Sequence, residues 1–167
     1  TAKTEGTGAV AKVNPVAKEK AKQAIADELK AKNAELDNRT DLSDAEKKAA
    51  KAEAKQLADA QLAEVAKQPD NKETAAEAKT AQDAVDAAKD KGVADVKTVN
   101  PIAKEKAKKA VTDELAKKEK EIDARTDLTK EEKDAAKEEA KGLAKKATDA
   151  ITAQPDKEAT PEAATTA

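Results

Sequence analysis

The chain has 167 residues, 41% of them charged, and contains no Cys, His, Met, Phe, Tyr or Trp. Its 33 basic and 35 acidic residues are closely interspersed, which excludes the basic stripe of a nucleic-acid-binding protein and the cationic face of a membrane-binding helix. Without His or Cys, a nucleophile–base pair or a soft metal site has few residues to draw on. We therefore expect no enzyme activity, no cofactor and no metal.

Two copies of one unit follow each other at an offset of 86 residues. Val13-Asn14-Pro15 recurs as Val99-Asn100-Pro101, and residues 13–70 laid on 99–156 give 33 identities in 58 positions. Gly6 likewise falls on Gly92. The repeat predicts four parts: the end of a preceding repeat with its linker (1–12), a complete repeat (13–98), the first two helices of the next repeat (99–156) and a flexible tail (157–167).

The first helix of the unit is predicted to start at Asn14 as the N-cap, with Pro15 at the first helical position, where its missing N–H costs nothing. It should end near Asn38. One face carries the apolar positions Ala21, Ile25, Leu29 and Leu36 and the stem of Lys32, and the same face recurs as Ala107, Val111, Leu115, Ile122 and Lys118.

The second helix is predicted to start at Ser43, because Glu46 three residues later completes a capping box, which Thr129 and Glu132 repeat. Pro69 should end it. Its apolar stripe contains Ala50, Ala54, Leu57 and Val65, and the second copy echoes it as Ala136, Ala140, Leu143, Ala147 and Ile151.

The third helix is predicted to begin at Asp70, paired with Glu73, and to end at Gly92. A heptad seam runs along it through Thr74, Ala78, Ala81, Val85 and Ala88. Short connections between three amphipathic helices favour an antiparallel three-helix bundle. The expected fold class is all-α, a tandem array of such bundles similar to spectrin repeats.

The stretch from Asp37 to Lys47, which contains Arg39-Thr40-Asp41-Leu42, recurs from Asp123 to Lys133. It resembles a helical repeat of unknown function that occurs in many copies in large wall-anchored surface proteins of staphylococci, streptococci and lactobacilli. The resemblance implies an extracellular, cell-wall-attached location. It also implies a role in holding a distal adhesive domain away from the cell, and it carries over no catalytic or ligand residues.

Arg39 and Arg125 are the only arginines of the chain and occupy the same position in both copies. Because its planar guanidinium differs from a lysine ammonium in geometry, arginine at this position has a specific role. One interpretation is a contact with an anionic ligand such as teichoic acid or a host glycan. The favoured interpretation is structural: the side chain ties the last carbonyls of the first helix, or Asp41, across the turn.

Two functions remain for such a chain. The favoured one is a non-catalytic stalk of a bacterial surface adhesin, a monomer whose partners are neighbouring repeats of the same chain. Host or cell-surface ligands would be bound by other domains, and neither nucleic acid nor membrane is expected as a partner. The alternative is a weak multivalent binding module for a host protein or glycan, although exposed aromatic anchors are lacking. A disordered stress protein ranks last, because it would lack a capped unit of 86 residues.

Overall fold

A computed structural model describes residues 2–158, which form six helices and two very short strands. The elements are α1 (Ala2–Ala11), β1 (Asn14–Pro15), α2 (Glu19–Asn38), α3 (Asp44–Lys67), β2 (Asn71–Lys72), α4 (Ala75–Lys97), α5 (Glu105–Ala124) and α6 (Lys130–Ala153). The predominantly helical fold predicted from the sequence is confirmed. Among the described helices, none combines the length and apolar character needed to cross a membrane.

The described residues fall into two compact units. The first contains residues 2–38 and 48–100, and the second contains residues 39–47 and 101–158. The turn at 39–47 lies between α2 and α3 in the chain. Its contacts nevertheless assign it to the second unit, together with α5 and α6.

The core of the first unit contains few large side chains. Those with no exposed surface are Ile25, Leu36, Val65, Val85 and Val96. Alanines fill the spaces between them, at positions 21, 50, 54, 58, 78, 81 and 88. An alanine lets helices approach closely but removes little surface from water, so the few large aliphatic side chains account for most of the hydrophobic stabilisation.

The sequence pattern predicted that the third helix would end at Gly92, and this prediction was wrong. Gly92 is buried inside α4, which continues to Lys97 and is capped by Thr98. A Cβ atom added at Gly92 would lie 2.9 Å from Ile25 Cγ1 of α2 and 3.0 Å from Gln61 Cβ of α3. Glycine is therefore required here by the close approach of two other helices.

The predicted starts of the first and third helices were also wrong. Asn14 is not an N-cap: its amide Nδ2 donates to the carbonyls of Lys72 at 3.2 Å and Glu73 at 3.1 Å, so β1 pairs with β2 and α2 begins only at Glu19. Asp70 likewise precedes β2, and α4 is capped by Thr74, whose hydroxyl accepts from the N–H of Glu77.

The predicted faces of the first copy are largely confirmed, with three exceptions, whereas in the second copy only Ile122 of the predicted positions is buried and Leu143 is exposed. In α2, Ala21, Ile25, Lys32 and Leu36 are buried, and in α4 the predicted seam from Ala78 to Ala88 is buried and extends to Gly92 and Val96. Leu29 and Leu57, however, are only half-buried, and Thr74 of the predicted seam is exposed. In α3 the buried position next to Leu57 is Ala58, which a closely packed helix pair accommodates more easily.

The second unit repeats the strand pairing of the first. The paired residues are Pro15 with Asn71 and, 86 residues later, Pro101 with Lys157. In each copy the residue after the proline donates its N–H to an aspartate carbonyl at 3.0 Å, in the pairs Val16–Asp70 and Ile102–Asp156. Lys157, expected in the tail, thus belongs to this pairing, and the rest of the expected tail from residue 159 onward lies outside the described residues.

Candidate functional site

The turn between α2 and α3 is organised by Arg39. Its guanidinium donates two hydrogen bonds to the carboxylate of Asp41, from Nε to Oδ1 at 2.7 Å and from Nη2 to Oδ2 at 2.6 Å. This fork-to-fork geometry is available to arginine and not to lysine. The bond from Arg39 lowers the pKa of Asp41 to about 2. The predicted tie between Arg39 and Asp41 is therefore confirmed.

Arg125 makes the same contact with Asp127, at 2.6 Å from Nε to Oδ1, and likewise lowers the pKa of that carboxyl to about 2. The two arginines differ in what else they reach. Arg39 Nη2 also donates to the carbonyl of Pro101 at 3.2 Å, and its side chain is 24% exposed. The Arg125 side chain is 55% exposed. Arg39 therefore has a second function, which is a contact with the start of the following repeat at Pro101.

Two of the three predicted capping pairs are present. The Ser43 N–H donates to Glu46 Oε2 at 2.9 Å, and the Glu46 N–H donates back to Ser43 Oγ at 3.1 Å. Thr129 and Glu132 make the same pair of bonds at the start of α6. Because both partners lie within one helical turn, the spacing alone was sufficient to predict them.

Glu46 has a second role that the spacing did not reveal. Its other oxygen, Oε1, accepts the N–H of Lys104 at 2.7 Å and the N–H of Glu105 at 3.0 Å. These groups open α5, whose N-cap residue, Lys104, makes no side-chain cap of its own. One carboxylate therefore caps two helices, α3 through one oxygen and α5 through the other, and its charge suits the positive end of each helix.

The protonation state of Glu46 follows from these bonds. Partial burial favours the neutral carboxyl, but the N–H groups of Ser43, Lys104 and Glu105 outweigh that effect and lower the pKa of Glu46. The side chain is therefore an anion at neutral pH, the form that accepts all three bonds.

Two further contacts join the same segments. The Ser43 hydroxyl donates to the Glu105 carboxylate, and Lys106 Nζ donates to the carbonyl of Thr40 at 2.7 Å. Together with the bonds of Arg39 and Glu46, they fix residues 101–106 against the turn at 39–47. We call this set of contacts the repeat joint.

A lysine holds the strand pairing in each copy. Lys18 Nζ donates to the carbonyl of Gln68 at 2.9 Å and pairs with Asp70. Lys104 Nζ pairs with Asp156 at 2.7 Å and also donates to the carbonyl of Gln154. Each ammonium satisfies carbonyls released at the end of the preceding helix, where positive charge is favourable.

Among residues 2–158, no group of three or more acidic side chains is arranged to hold a metal ion. The cavities of the second unit lie along α5 and α6 and are lined by aliphatic residues with lysine and glutamate at their rims. The most elaborate polar arrangement described is the repeat joint, and its chemistry is that of hydrogen-bonded helix caps.

Part of the chain matches a known family model. Residues 103–167 match the model of a family described as Domain of Unknown Function (DUF1542). The matched segment begins just before α5 and contains α5 and α6. No curated protein and no solved structure matches the chain.

Proposed function

We propose that the chain is a stretch of non-catalytic spacer repeats from a bacterial adhesin, in which each repeat is an antiparallel three-helix bundle and successive bundles form a spectrin-like tandem array. The repeats would stand outside the cell, anchored to the wall of a Gram-positive bacterium, and would project a distal binding domain. Their partners would be neighbouring repeats of the same monomeric chain, with host or cell-surface ligands bound by other domains.

The repeat joint is the observation that supports this proposal. Arg39 and Glu46 belong to one copy of the repeated motif, and they hold the opening residues of the next copy, Pro101 and Lys104. A motif used to bind its own successor is what a tandem spacer requires. A module that displays a binding face would use the motif to contact a ligand.

The second copy keeps the same parts. Arg125, Asp127 and the Thr129–Glu132 capping box all lie where a further copy would need them. Charged and small side chains dominate the outer faces of the helices, which suits an exposed spacer that must not adhere to neighbouring chains.

The proposal is tested on cells. A surface protein of a Gram-positive bacterium would be built with an epitope tag at its distal end and two, four or six copies of the repeat between the tag and the wall anchor. Antibody access to the tag should rise with copy number, because each copy moves the tag further out through the wall polymers.

A matched series carrying alanine at every position equivalent to Glu46 keeps the copy number and loses the two bonds that Glu46 makes in the joint. We expect tag access in that series to rise less steeply. Access that does not depend on copy number in the unaltered series would contradict the spacer function.

A further inference from the structure

The helix pair α5–α6 leaves an apolar groove open along one side. Its floor is formed by Val111, Leu115, Ala140 and Ala144, and Leu143 at its centre is 61% exposed. Two cavities of about 440 Å³ and 420 Å³ lie along it. An exposed leucine flanked by further aliphatic side chains on a chain with so few large apolar residues indicates a surface that is covered in the assembled protein.

The first copy shows what covers this face. The groove positions correspond, at the offset of 86, to Ile25, Leu29, Ala54, Leu57 and Ala58. There Ile25, Ala54 and Ala58 have no exposed surface. The element that contacts Ile25 and also approaches α3 is α4, through Gly92.

A polar contact in the first unit also joins α4 to the segment before α2. In the first unit the side-chain amide of Gln82, on α4, is held by both backbone groups of Ala17. The Ala17 N–H donates to Oε1 at 2.8 Å, and Nε2 donates to the Ala17 carbonyl at 3.1 Å. The equivalent residue in the second copy is Ala103. No side chain of residues 2–158 makes this pair of bonds with it.

We propose that the α5–α6 groove binds a helix of the α4 type, with a stripe of alanine, valine and glycine that enters the groove and a glutamine that reaches Ala103. The inference deepens the repeat architecture proposed above, since it assigns the groove to the third helix of a repeat. The occupant is defined by its pattern, which is that of Ala81, Val85, Ala88, Gly92 and Val96.

The groove also differs from its counterpart in a way that affects the fit. Val111 replaces Ile25 and Ala147 replaces Gln61, the two residues nearest the position of Gly92. Both replacements are smaller, so the groove has more room at this point. Glu114 is the equivalent of Glu28, whose Oε2 lies 3.8 Å from Lys97 Nζ of α4. The second copy therefore retains the negative charge that faces this lysine.

The test uses the whole 167-residue chain and a synthetic peptide of residues 70–99. Titration of the isotope-labelled chain with the peptide should shift the amide signals of Val111, Leu115, Leu143 and Ala147 and give a saturable binding curve. Replacing Val85 with glutamate in the peptide should weaken binding about tenfold or more, because a charged carboxylate would enter the apolar groove without a partner. Gln82→Ala in the peptide should weaken it less.

Leu143→Glu in the chain places a charge in the groove at an exposed position that the fold does not require, and should abolish the shifts. Val10→Glu is the matched control, because Val10 is also exposed, at 74%, and lies outside the groove. It should bind the peptide like the unaltered chain.

Three results would overturn the inference. They are the absence of shifts in the groove, equal binding by the Leu143→Glu chain, and shifts confined to Ile25 and its neighbours, which would mean exchange with α4. Self-association of the chain in analytical ultracentrifugation that is lost in Leu143→Glu would also contradict the inference, because it would mean that a second copy of the chain covers the groove. Antibody access on cells is measured independently, so failure of the peptide to bind is distinguishable from failure of the spacer function.

Discussion

Replacing Gly92 with alanine should destabilise the first unit, whereas the same replacement at Gly142 should stabilise the second. Both glycines lie inside helices, where alanine is favoured by about 1 kcal/mol because it loses less backbone entropy. The two sites differ only in what the new methyl group meets. At Gly142, no atom of residues 2–158 outside the adjoining turns of the helix backbone lies within 4 Å of the added methyl carbon.

At Gly92 the methyl carbon would lie 2.9 Å from Ile25 Cγ1, closer than such atoms approach in folded proteins, and 3.0 Å from Gln61 Cβ, which is tighter than most contacts of this kind. Relieving that overlap costs about 1–3 kcal/mol, and the middle of that range exceeds the helix gain of about 1 kcal/mol. The expected net loss is about 1 kcal/mol at Gly92, against a gain of about 1 kcal/mol at Gly142.

Native-state hydrogen exchange of buried amides in α4 and in α6 would report the stability of each unit separately. Urea unfolding followed by circular dichroism would check the sign of the change in each variant. A gain in stability at Gly92 equal to that at Gly142 would refute the close approach of three helices at this position.

Three other outcomes follow from the described contacts. Ile25→Ala should cost about 2–5 kcal/mol in thermal or urea unfolding, and Leu29→Ala clearly less, because only Ile25 is fully buried; equal losses would contradict the assigned core. Glu46→Ala should speed hydrogen exchange at the first amides of α5, whereas Glu132→Ala should leave them unchanged. The Asp41 carboxyl should titrate near 2 by NMR and shift upward in Arg39→Lys. Because its folded pKa lies below the ordinary value of 3.8, the stability it contributes is present above about pH 4 and is lost as the pH falls towards 2. An unshifted midpoint would mean that the fork does not form in solution.

Predictions from sequence succeeded where the deciding contact is local. The capping box of Ser43 and Glu46 spans three residues, and the tie of Arg39 to Asp41 spans two. In both cases the spacing brings donor and acceptor together without help from the rest of the fold. The buried seam of α4 was predictable for the same reason, since its period is a property of one helix.

The wrong predictions involve contacts between distant parts of the chain. Asn14 was expected to cap a helix, and its real partner, Lys72, lies 58 residues away. Gly92 was expected to end a helix, because a glycine near the end of a periodic stretch usually does so. What requires glycine there is Ile25, on another helix.

The second role of Glu46 was missed for the same reason. Its sequence neighbours account fully for one oxygen, and nothing near it in the chain indicates that the other oxygen holds Lys104, again 58 residues away. The repeat itself offered one signal. Both copies retain the turn motif that begins at Arg39 and the opening segment that contains Pro101, and this shared retention suggests that the two segments interact.

Small-angle X-ray scattering on proteins with two, four and six copies of the repeat tests the spacer account most directly. An array held by the repeat joint should gain a constant increment in maximum dimension with each copy, and so grow about threefold from two to six copies. Compact packing of the copies on one another would give only about 1.5-fold growth, since the size of a folded globule rises with chain length to the power of about 0.38. A threefold increase is the predicted result, and an increase near 1.5-fold would contradict the spacer function.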